Sequence, residues 1–273
     1  MLSFDWSIFT VHEFRYSRWL VEGLWITLKI SAISMVFAMV LGTIFGIGRL
    51  SRSRIIRWIS APYIEFFRNT PLVIQLFFWY FGADFLFHFL MYLAGHLGFI
   101  SPAISHYVVG KIDGIRLYYN RGESEFISGI VGLSVYTSAF IAEIVRAGIQ
   151  SIPTGQLEAA RSTGLSTIQA LRYIILPQAF RIIVPPLITQ FLNLTKNSSQ
   201  AMAIGVMELT YMARQVEAYT FRGFEAFTAA TIIYLILSLI ISFTLNWYDK
   251  HTSIENMAKR KEREYSKLQE ALG

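Results

Sequence analysis

The sequence predicts an all-α polytopic membrane protein with about five transmembrane helices, an outer N-terminus and an inner C-terminus. Of the 273 residues, 54% are hydrophobic and only 15% are charged, whereas soluble domains carry about 25% charged residues. The mean hydropathy of +0.45 places much of the chain in lipid. So apolar a chain is not intrinsically disordered, and the absence of cysteine excludes a disulfide-stabilised secreted module.

Long windows without charged residues locate the helices, because the bilayer core requires about 20 apolar residues per helix. We expect spans at about 24–48, 62–94, 126–146, 182–206 and 226–248, within a single domain covering 1–273. The first contains Lys29, whose side chain would extend towards one face. The last closes with Trp247, an aromatic residue typical of the membrane interface. For the second, Thr70–Pro71 resembles an N-cap and first helical residue, which leaves open a start at Leu72.

Basic residues determine the orientation, because cytoplasmic segments of membrane proteins are enriched in lysine and arginine. With the N-terminus outside, the inner segments 49–57, 146–181 and 249–273 carry 14 lysines and arginines, and the outer segments carry 7. The net charge of +6 therefore reflects membrane orientation and not a nucleic-acid-binding surface. We expect an N-out, C-in protein with a solvated cytoplasmic tail at 249–273.

One stretch leaves the number of spans open. Residues 85–110 are uncharged over 26 residues, which is long enough for a sixth span. A sixth span would move the loop at 146–181 and its four arginines to the outside, against the positive-inside rule. We therefore interpret 85–110 as an extension of the second helix followed by an interfacial or re-entrant segment.

The loop at 153–177 is the most informative segment on the inner side. Residues 156–163 favour a helix, and Gly164 can adopt the left-handed conformation that ends one. Ser166 with Gln169 three residues later forms a capping box, which predicts the start of a second helix. A proline stops an α-helix, so this second helix is expected to end at or before Pro177. The loop thus consists of two short helices joined by a glycine elbow.

The same loop carries a family resemblance. It resembles the EAA loop of the membrane subunits of bacterial ABC importers at every signature position and at the same spacing. The matching positions are Glu158, Ala159, Ala160, Gly164, Ile174, Leu176 and Pro177. The resemblance implies a coupling helix that docks into a cleft of an ATPase subunit. It also implies that Glu158 is the polar contact, that Ala159 and Ala160 form the close-packing face, and that Gly164 is the elbow.

Two other interpretations of the loop remain. The first is an ordinary helical hairpin between spans. The second is a DNA-binding helix-turn-helix in which glycine makes the turn. The recognition helix of the latter would be 167–176, which offers only Gln169 and Arg172 to bases or phosphates and lies next to a membrane span. We therefore expect no nucleic-acid partner.

Polar residues inside the spans are candidates for function, because ionisable groups are costly in a bilayer. Glu65 and Arg68 lie three residues apart, and we expect them to neutralise each other on one helix face. A second cluster, 193–200, surrounds Lys196, and Pro185–Pro186 upstream indicates a break or kink in that span. The sequences of both clusters resemble those of membrane subunits in the polar amino acid uptake branch of the ABC importers. This branch contains the histidine-, glutamine- and glutamate-type permeases.

We hypothesise that these residues line or brace a substrate pathway, with Lys196 facing anionic groups of the substrate. The candidates are Glu65, Arg68, Asn69, Gln75, Lys196, Asn197 and Ser198. The alternative is that they only join helices through interhelical hydrogen bonds. The three histidines His88, His96 and His106 lack the spacing of metal ligands and are interpreted as surface groups.

The resemblance implies a permease subunit of an ATP-driven importer in the bacterial cytoplasmic membrane, translocating a polar amino acid such as glutamate, aspartate or glutamine. The chain contains no phosphate-binding loop, so no catalytic residue and no cofactor are expected in it. ATP and magnesium would bind to separate ATPase subunits. Further expected partners are a second permease, identical or related, an extracytoplasmic substrate-binding protein and membrane lipid. The alternative is a secondary transporter or channel that needs no ATPase, which often shows an internal repeat that is not found here.

Overall fold

The computed structural model describes residues 4–10, 15–82 and 121–252, and the regular secondary structure in these ranges is helical. In chain order the α-helices are α1 (Arg15–Arg49), α2 (Arg54–Asn69), α3 (Leu72–Phe77), α4 (Arg121–Gln150), α5 (Thr154–Ser162), α6 (Thr167–Ala170), α7 (Leu176–Asn197), α8 (Leu209–Thr220) and α9 (Gly223–Thr252). Shorter 3-10 or π segments lie at Trp6–Phe9, Phe78–Gly82, Leu171–Ile175 and Ser198–Ile204. Outside the described residues fall the stretch 85–110, the three histidines considered as metal ligands, and the tail beyond Thr252.

Four helical stretches in the described part of the chain are long and apolar enough to cross a bilayer. They are Arg15–Arg49, Ser124–Gln150, Thr167–Ile204 and Gly223–Trp247. The first begins nine residues before the expected position 24, and the third begins well before 182, because helical geometry continues beyond the apolar window into polar sequence. The chain is therefore an all-α, multi-pass membrane protein.

The region of the second expected span contains two helices. α2 ends at Asn69, Thr70 has extended backbone angles, and α3 begins at Leu72, the alternative start. The expectation that Thr70 caps α3 is wrong, because the N-cap position is Pro71 and Thr70 ends α2 instead. The hydroxyl of Thr70 donates back to the carbonyl of Phe66 at 2.8 Å, which satisfies one of the last carbonyls of α2.

The second helix of the inner loop does not end at Pro177, and this expectation is wrong. Residues 171–175 form a π-helical turn, in which the N–H of Leu176 bonds to the carbonyl of Leu171. Pro177 lies in the first turn of α7, and the helical stretch continues from Thr167 to Ile204. A proline removes an α-helical hydrogen bond, and a π turn just before it absorbs that loss without ending the helix.

Of the break or kink expected at Pro185–Pro186, a break is absent, since α7 continues through both prolines. Membrane helices tolerate proline where neighbouring helices supply partners or packing for the freed carbonyls. The change of helix type falls later, at Ser198, where α7 gives way to the 3-10 segment. That segment ends at Gly205, whose φ of 94° is left-handed.

Close packing of α1 on α4 forms the centre of the described bundle. A Cβ atom added to Gly42 would lie 2.6 Å from the Ile141 side chain, and one added to Gly46 would lie 2.6 Å from the carbonyl oxygen of Ala142. Small residues four apart let two membrane helices approach closely, as in other membrane bundles. This interface fixes α4 as the scaffold on which α2 and α7 pack.

Candidate functional site

A polar cavity of about 450 Å³ lies between α4 and the C-terminal end of α7. The lining residues are Tyr136, Thr137 and Phe140 from α4, and Gln190, Asn193, Leu194, Lys196 and Asn197 from α7. Small-molecule sites commonly enclose about 300–1,000 Å³. Two of the predicted pathway residues, Lys196 and Asn197, therefore line one cavity, together with two amide side chains that were not in the predicted set, Gln190 and Asn193.

The polar cluster positions these side chains by bonding to its own backbone. The hydroxyl of Thr195 donates to the carbonyl of Phe191 at 2.9 Å, and that of Ser198 donates to the carbonyl of Thr195 at 2.8 Å. Ser199 donates likewise to the carbonyl of Lys196 at 2.7 Å. These serine and threonine hydroxyl groups donate to backbone carbonyls where the α-helix gives way to a 3-10 helix. The backbone can therefore change its helix type inside the bundle without leaving these carbonyls unpaired. Ser198 is completely buried and does not line the cavity.

Glu65 is not neutralised by Arg68, which corrects the sequence interpretation. Its carboxylate accepts a 2.9 Å bond from the guanidinium of Arg49 at the end of α1. Asn69 donates to the backbone carbonyl of Glu65 at 2.7 Å, so this side chain holds the last turn of α2. The guanidinium of Arg68 lies 5.7 Å from the ring centre of Phe140, which lines the cavity. Arg68 therefore lies beside one side chain of the cavity wall without lining the cavity itself.

An ionic cluster joins α1, α2 and α4 and was not foreseen from the sequence. Arg146 forms a bidentate pair with Glu143 three residues earlier on α4. Glu143 also lies 4.0 Å from Arg49, whose other partner is Glu65. The signal for the Glu143–Arg146 pair was present, since oppositely charged residues three apart share a helix face. The bridge to α1 has no local signal.

Gln75 is a buried structural link rather than part of the cavity lining. Its side-chain amide donates to the carbonyl of Phe67 at 2.9 Å and to the carbonyl and hydroxyl of Thr70 at 3.1 Å and 2.8 Å. The side chain is 4% exposed, and its Oε1 atom has no partner. Gln75 therefore ties the first turn of α3 to the end of α2 across the break at Thr70–Pro71.

The inner loop presents one helix to solvent. In α5, Glu158 and Ala159 are exposed, whereas Ala160 is 3% exposed and packs inside the chain. Gly164 has a φ of 88°, which confirms the left-handed elbow. The capping box at Ser166 and Gln169 is also confirmed, with reciprocal bonds of 2.9 Å and 3.3 Å.

Several large apolar side chains that follow α5 are exposed. Ile168 is 77% exposed and Tyr173 63%, on the helical segments that follow the elbow, and Leu176 and Pro177 are also exposed while Ile174 is half-buried. These exposed apolar side chains lie close in sequence to the exposed Glu158 and Ala159 of α5.

Comparisons with known proteins match most of the chain. The family described as "Binding-protein-dependent transport system inner membrane component" matches residues 38–254. The chain is 36% identical over 230 residues to the "Probable glutamine ABC transporter permease protein GlnM" of Bacillus subtilis, a match covering 84% of this chain and 91% of the relative. It is 31% identical over 253 residues to the "Glutamate/aspartate import permease protein GltJ" of Escherichia coli, covering 91% and 95%.

The fold matches solved transporters as well. A structure described as "Crystal structure of an amino acid ABC transporter with histidines" superposes with a TM-score of 0.72 at 28% identity, covering 92% of this chain and 100% of that one. The MetNI methionine ABC transporter in an inward-facing form superposes with a TM-score of 0.61 at 22% identity and shows the same fold.

Proposed function

Because this chain belongs to the family of inner membrane components of binding-protein-dependent transport systems, we propose that it is the permease subunit of an ATP-driven amino acid importer. The relatives named for glutamine and for glutamate and aspartate support a polar amino acid as the substrate. The subunit itself makes and breaks no covalent bond. ATP and magnesium bind to the partner ATPase, and this chain supplies the path and the mechanical link.

The cavity between α4 and α7 is the observation that carries the proposal. Lys196 supplies a cation for a substrate carboxylate, and charge-assisted hydrogen bonds of this kind are about twice as strong as neutral ones. The amides of Gln190, Asn193 and Asn197 both donate and accept hydrogen bonds, which suits the ammonium and the amide or carboxyl groups of a polar amino acid. Arg68 supports the wall through Phe140.

The coupling loop at 153–177 links this pathway to ATP hydrolysis. Glu158, Ala159 and the exposed Ile168 form the surface for an ATPase subunit, with Gly164 as the elbow. Beyond the elbow at Gly164, the second half of the loop continues from Thr167 without interruption into α7, whose C-terminal end bears Lys196. Movement of the loop by a closing ATPase would therefore reach the cavity through one continuous helical stretch, a rigid-body type of transition.

The complete transporter consists of two permeases, identical or related, two ATPase subunits and an extracytoplasmic binding protein. It lies in the bacterial cytoplasmic membrane with the coupling loop on the inner side. This orientation places 14 of the lysines and arginines on the inner segments, as the positive-inside rule requires.

Reconstitution tests the proposal. The chain is co-expressed with its ATPase and any second permease, purified, and placed in proteoliposomes with the binding protein and glutamine or glutamate outside. We expect uptake that requires ATP inside and binding protein outside, and co-purification of the ATPase. Uptake by the chain alone, driven by an ion gradient without ATP, would show a secondary transporter instead.

A further inference from the structure

The N-terminal half of α2 protrudes from the described bundle. All six residues from Arg54 to Ile59 are exposed, and the first buried residue of the helix is Ser60. Apolar side chains dominate one side of this segment: Ile55 is 73% exposed, Trp58 81% and Ile59 62%. Residues at i, i+3 and i+4 share one helix face, so these three side chains form a continuous apolar stripe.

Arginines flank the stripe. Arg52, Arg54 and Arg57 are all exposed, and no carboxylate of the described residues lies within ion-pair distance of them. The guanidinium of Arg57 donates a 2.8 Å hydrogen bond to the carbonyl of Ser51, which directs the positive charge of Arg57 towards the start of the helix. The segment thus presents three positive charges beside exposed tryptophan and isoleucine.

α2 is too short to cross the bilayer. Its 16 residues span about 24 Å; Arg54 and Arg57 keep the N-terminal half out of the hydrocarbon core, whereas the C-terminal half, from Ser60, packs into the bundle. Four residues separate it from the end of α1, so it starts at the membrane surface where α1 leaves the lipid. A helical segment with an apolar stripe and basic residues beside it is typical of the membrane interface, where this N-terminal half is expected to lie.

We propose that the segment 52–59 is a binding site for anionic phospholipids in the leaflet at the C-terminal end of α1. Ile55, Trp58 and Ile59 insert among the acyl chains, and the three arginines contact phosphate groups. Charge complementarity favours lipid over a second protein chain as the partner of this segment. Protein interfaces exclude charged residues from their cores, whereas anionic lipid headgroups place negative charge directly beside the apolar acyl chains. The bound segment anchors α2, whose C-terminal end carries Glu65 and Arg68.

The first experiment measures the depth of the segment in the membrane. The chain has no cysteine, so a single introduced cysteine is its only labelling site. Trp58→Cys carries a spin label in the purified complex in nanodiscs of phosphatidylcholine and phosphatidylglycerol. Val40→Cys on the exposed face of α1 is the lipid control, and Thr10→Cys in the exposed segment before α1 is the water control. We expect the label at position 58 to be accessible to oxygen, as at 40, and shielded from a water-soluble nickel chelate.

The second experiment measures lipid selectivity. Native mass spectrometry counts phosphatidylglycerol retained by the complex with the triple substitution Arg52→Gln, Arg54→Gln and Arg57→Gln. A matched triple, Arg15→Gln, Arg18→Gln and Arg214→Gln, removes the same charge near the opposite end of α1. Each arginine at an anionic surface changes partitioning by about fivefold. We expect the first triple to lose at least tenfold in phosphatidylglycerol retention and the matched triple to change little.

Three results would overturn the proposal. One is a label at position 58 that is as accessible to the nickel chelate as the label at 10. Another is a label shielded from both reagents until the permeases dissociate, which would assign the stripe to a second copy. The third is equal retention of phosphatidylglycerol in the two triples.

Discussion

The hydroxyl of Tyr234 on α9 donates a 2.7 Å hydrogen bond to Oε2 of Glu208, whose side chain is completely buried. The same carboxylate caps α8, accepting from the backbone N–H groups of Thr210 at 2.9 Å and Tyr211 at 2.8 Å. The N–H of the next residue, Leu209, bonds to the hydroxyl of Thr27 on α1 at 3.1 Å. One turn therefore joins α1, α8 and α9 directly after the 3-10 segment that follows the cavity.

Removing the carboxylate should destabilise this junction strongly. Glu208→Ala deletes an N-cap, worth about 1 kcal/mol, and leaves the Tyr234 hydroxyl buried without its acceptor, which costs about 1–3 kcal/mol more. Tyr234→Phe should lower the free energy of unfolding by about half as much as Glu208→Ala. The unfolding temperature in detergent measures both, with exposed Glu22→Ala on α1 as the control. Strict additivity of Glu208→Ala and Tyr234→Phe in a double-mutant cycle would contradict the coupling.

Glu208 should also make stability depend on pH. Burial raises its pKa above the ordinary value of 4.5, because the charged form is desolvated, although the two N–H bonds and Tyr234 partly oppose this. The folded state then holds the proton more tightly than the unfolded state, so stability falls as pH rises from 4.5 through the folded-state pKa. Glu208→Gln cannot titrate, and the wild-type advantage over it should shrink across this window. An advantage that grows with pH would contradict this assignment.

Local chemistry explains which features the sequence could predict. The elbow at Gly164 and the capping box at Ser166 and Gln169 depend on a few neighbouring residues, and the structure has both. The prediction that a helix ends at or before Pro177 was wrong because a proline forbids only the α-type hydrogen bond. Residues 171–175 form a π turn instead.

Features that depend on the contacts between helices could not be read from the pattern. Glu65 was assigned to Arg68 on its own helix, yet its partner is Arg49 on α1, which lies closer once α1 and α2 pack. Ser198 shares a polar cluster with Lys196, but its side chain is buried in the interior, whereas that of Lys196 lines the cavity. Glu208 was missed because a glutamate beside apolar residues carries no strong capping signal.

The amide of Gln75 should tolerate no acidic replacement. Gln75→Met removes the three donor contacts to Phe67 and Thr70, at a cost of about 1–3 kcal/mol. Gln75→Glu should cost more, because it places oxygen against two carbonyl oxygens. Thermal unfolding of the purified chain measures the order. The control is Gln178→Met, which loses a single 3.0 Å bond within α7. Equal effects of the Gln75 and Gln178 substitutions to methionine would contradict the linking role.

The elbow allows a clean test of coupling. Alanine at Gly164 meets no atom within 4 Å, so its only cost is the left-handed backbone, about 1–2 kcal/mol. Gly155 in α5 is equally open and has an ordinary φ, so Gly155→Ala should stabilise the helix by about 0.5–1 kcal/mol. We expect Gly164→Ala to weaken ATPase binding about tenfold, with Gly155→Ala unchanged or tighter. Equal affinities in a titration of ATPase against permease would refute a role for the elbow.

Lys196 should decide whether the cavity carries substrate. Lys196→Gln removes the cation but keeps a side chain of similar length, and loss of a charge-assisted bond costs about 1.5–3 kcal/mol, or about a 10- to 150-fold loss in kcat/KM for uptake. Lys196→Arg keeps the charge and should retain part of the activity. The matched control is Lys29→Gln on α1, where the ammonium lies 5.3 Å from the Trp25 ring and away from the cavity.

The measurement separates transport from assembly. Uptake and substrate-stimulated ATP hydrolysis are compared in intact complexes, and complex yield checks that Lys196→Gln folds and assembles. We expect uptake and substrate-stimulated ATP hydrolysis to fall together for Lys196→Gln. The carboxylate of the substrate then has no cationic partner in the cavity, so less substrate is bound there to stimulate ATP hydrolysis through the coupling loop. Unchanged uptake and ATP hydrolysis in an intact Lys196→Gln complex would assign Lys196 to helix packing, and the substrate would have to pass elsewhere.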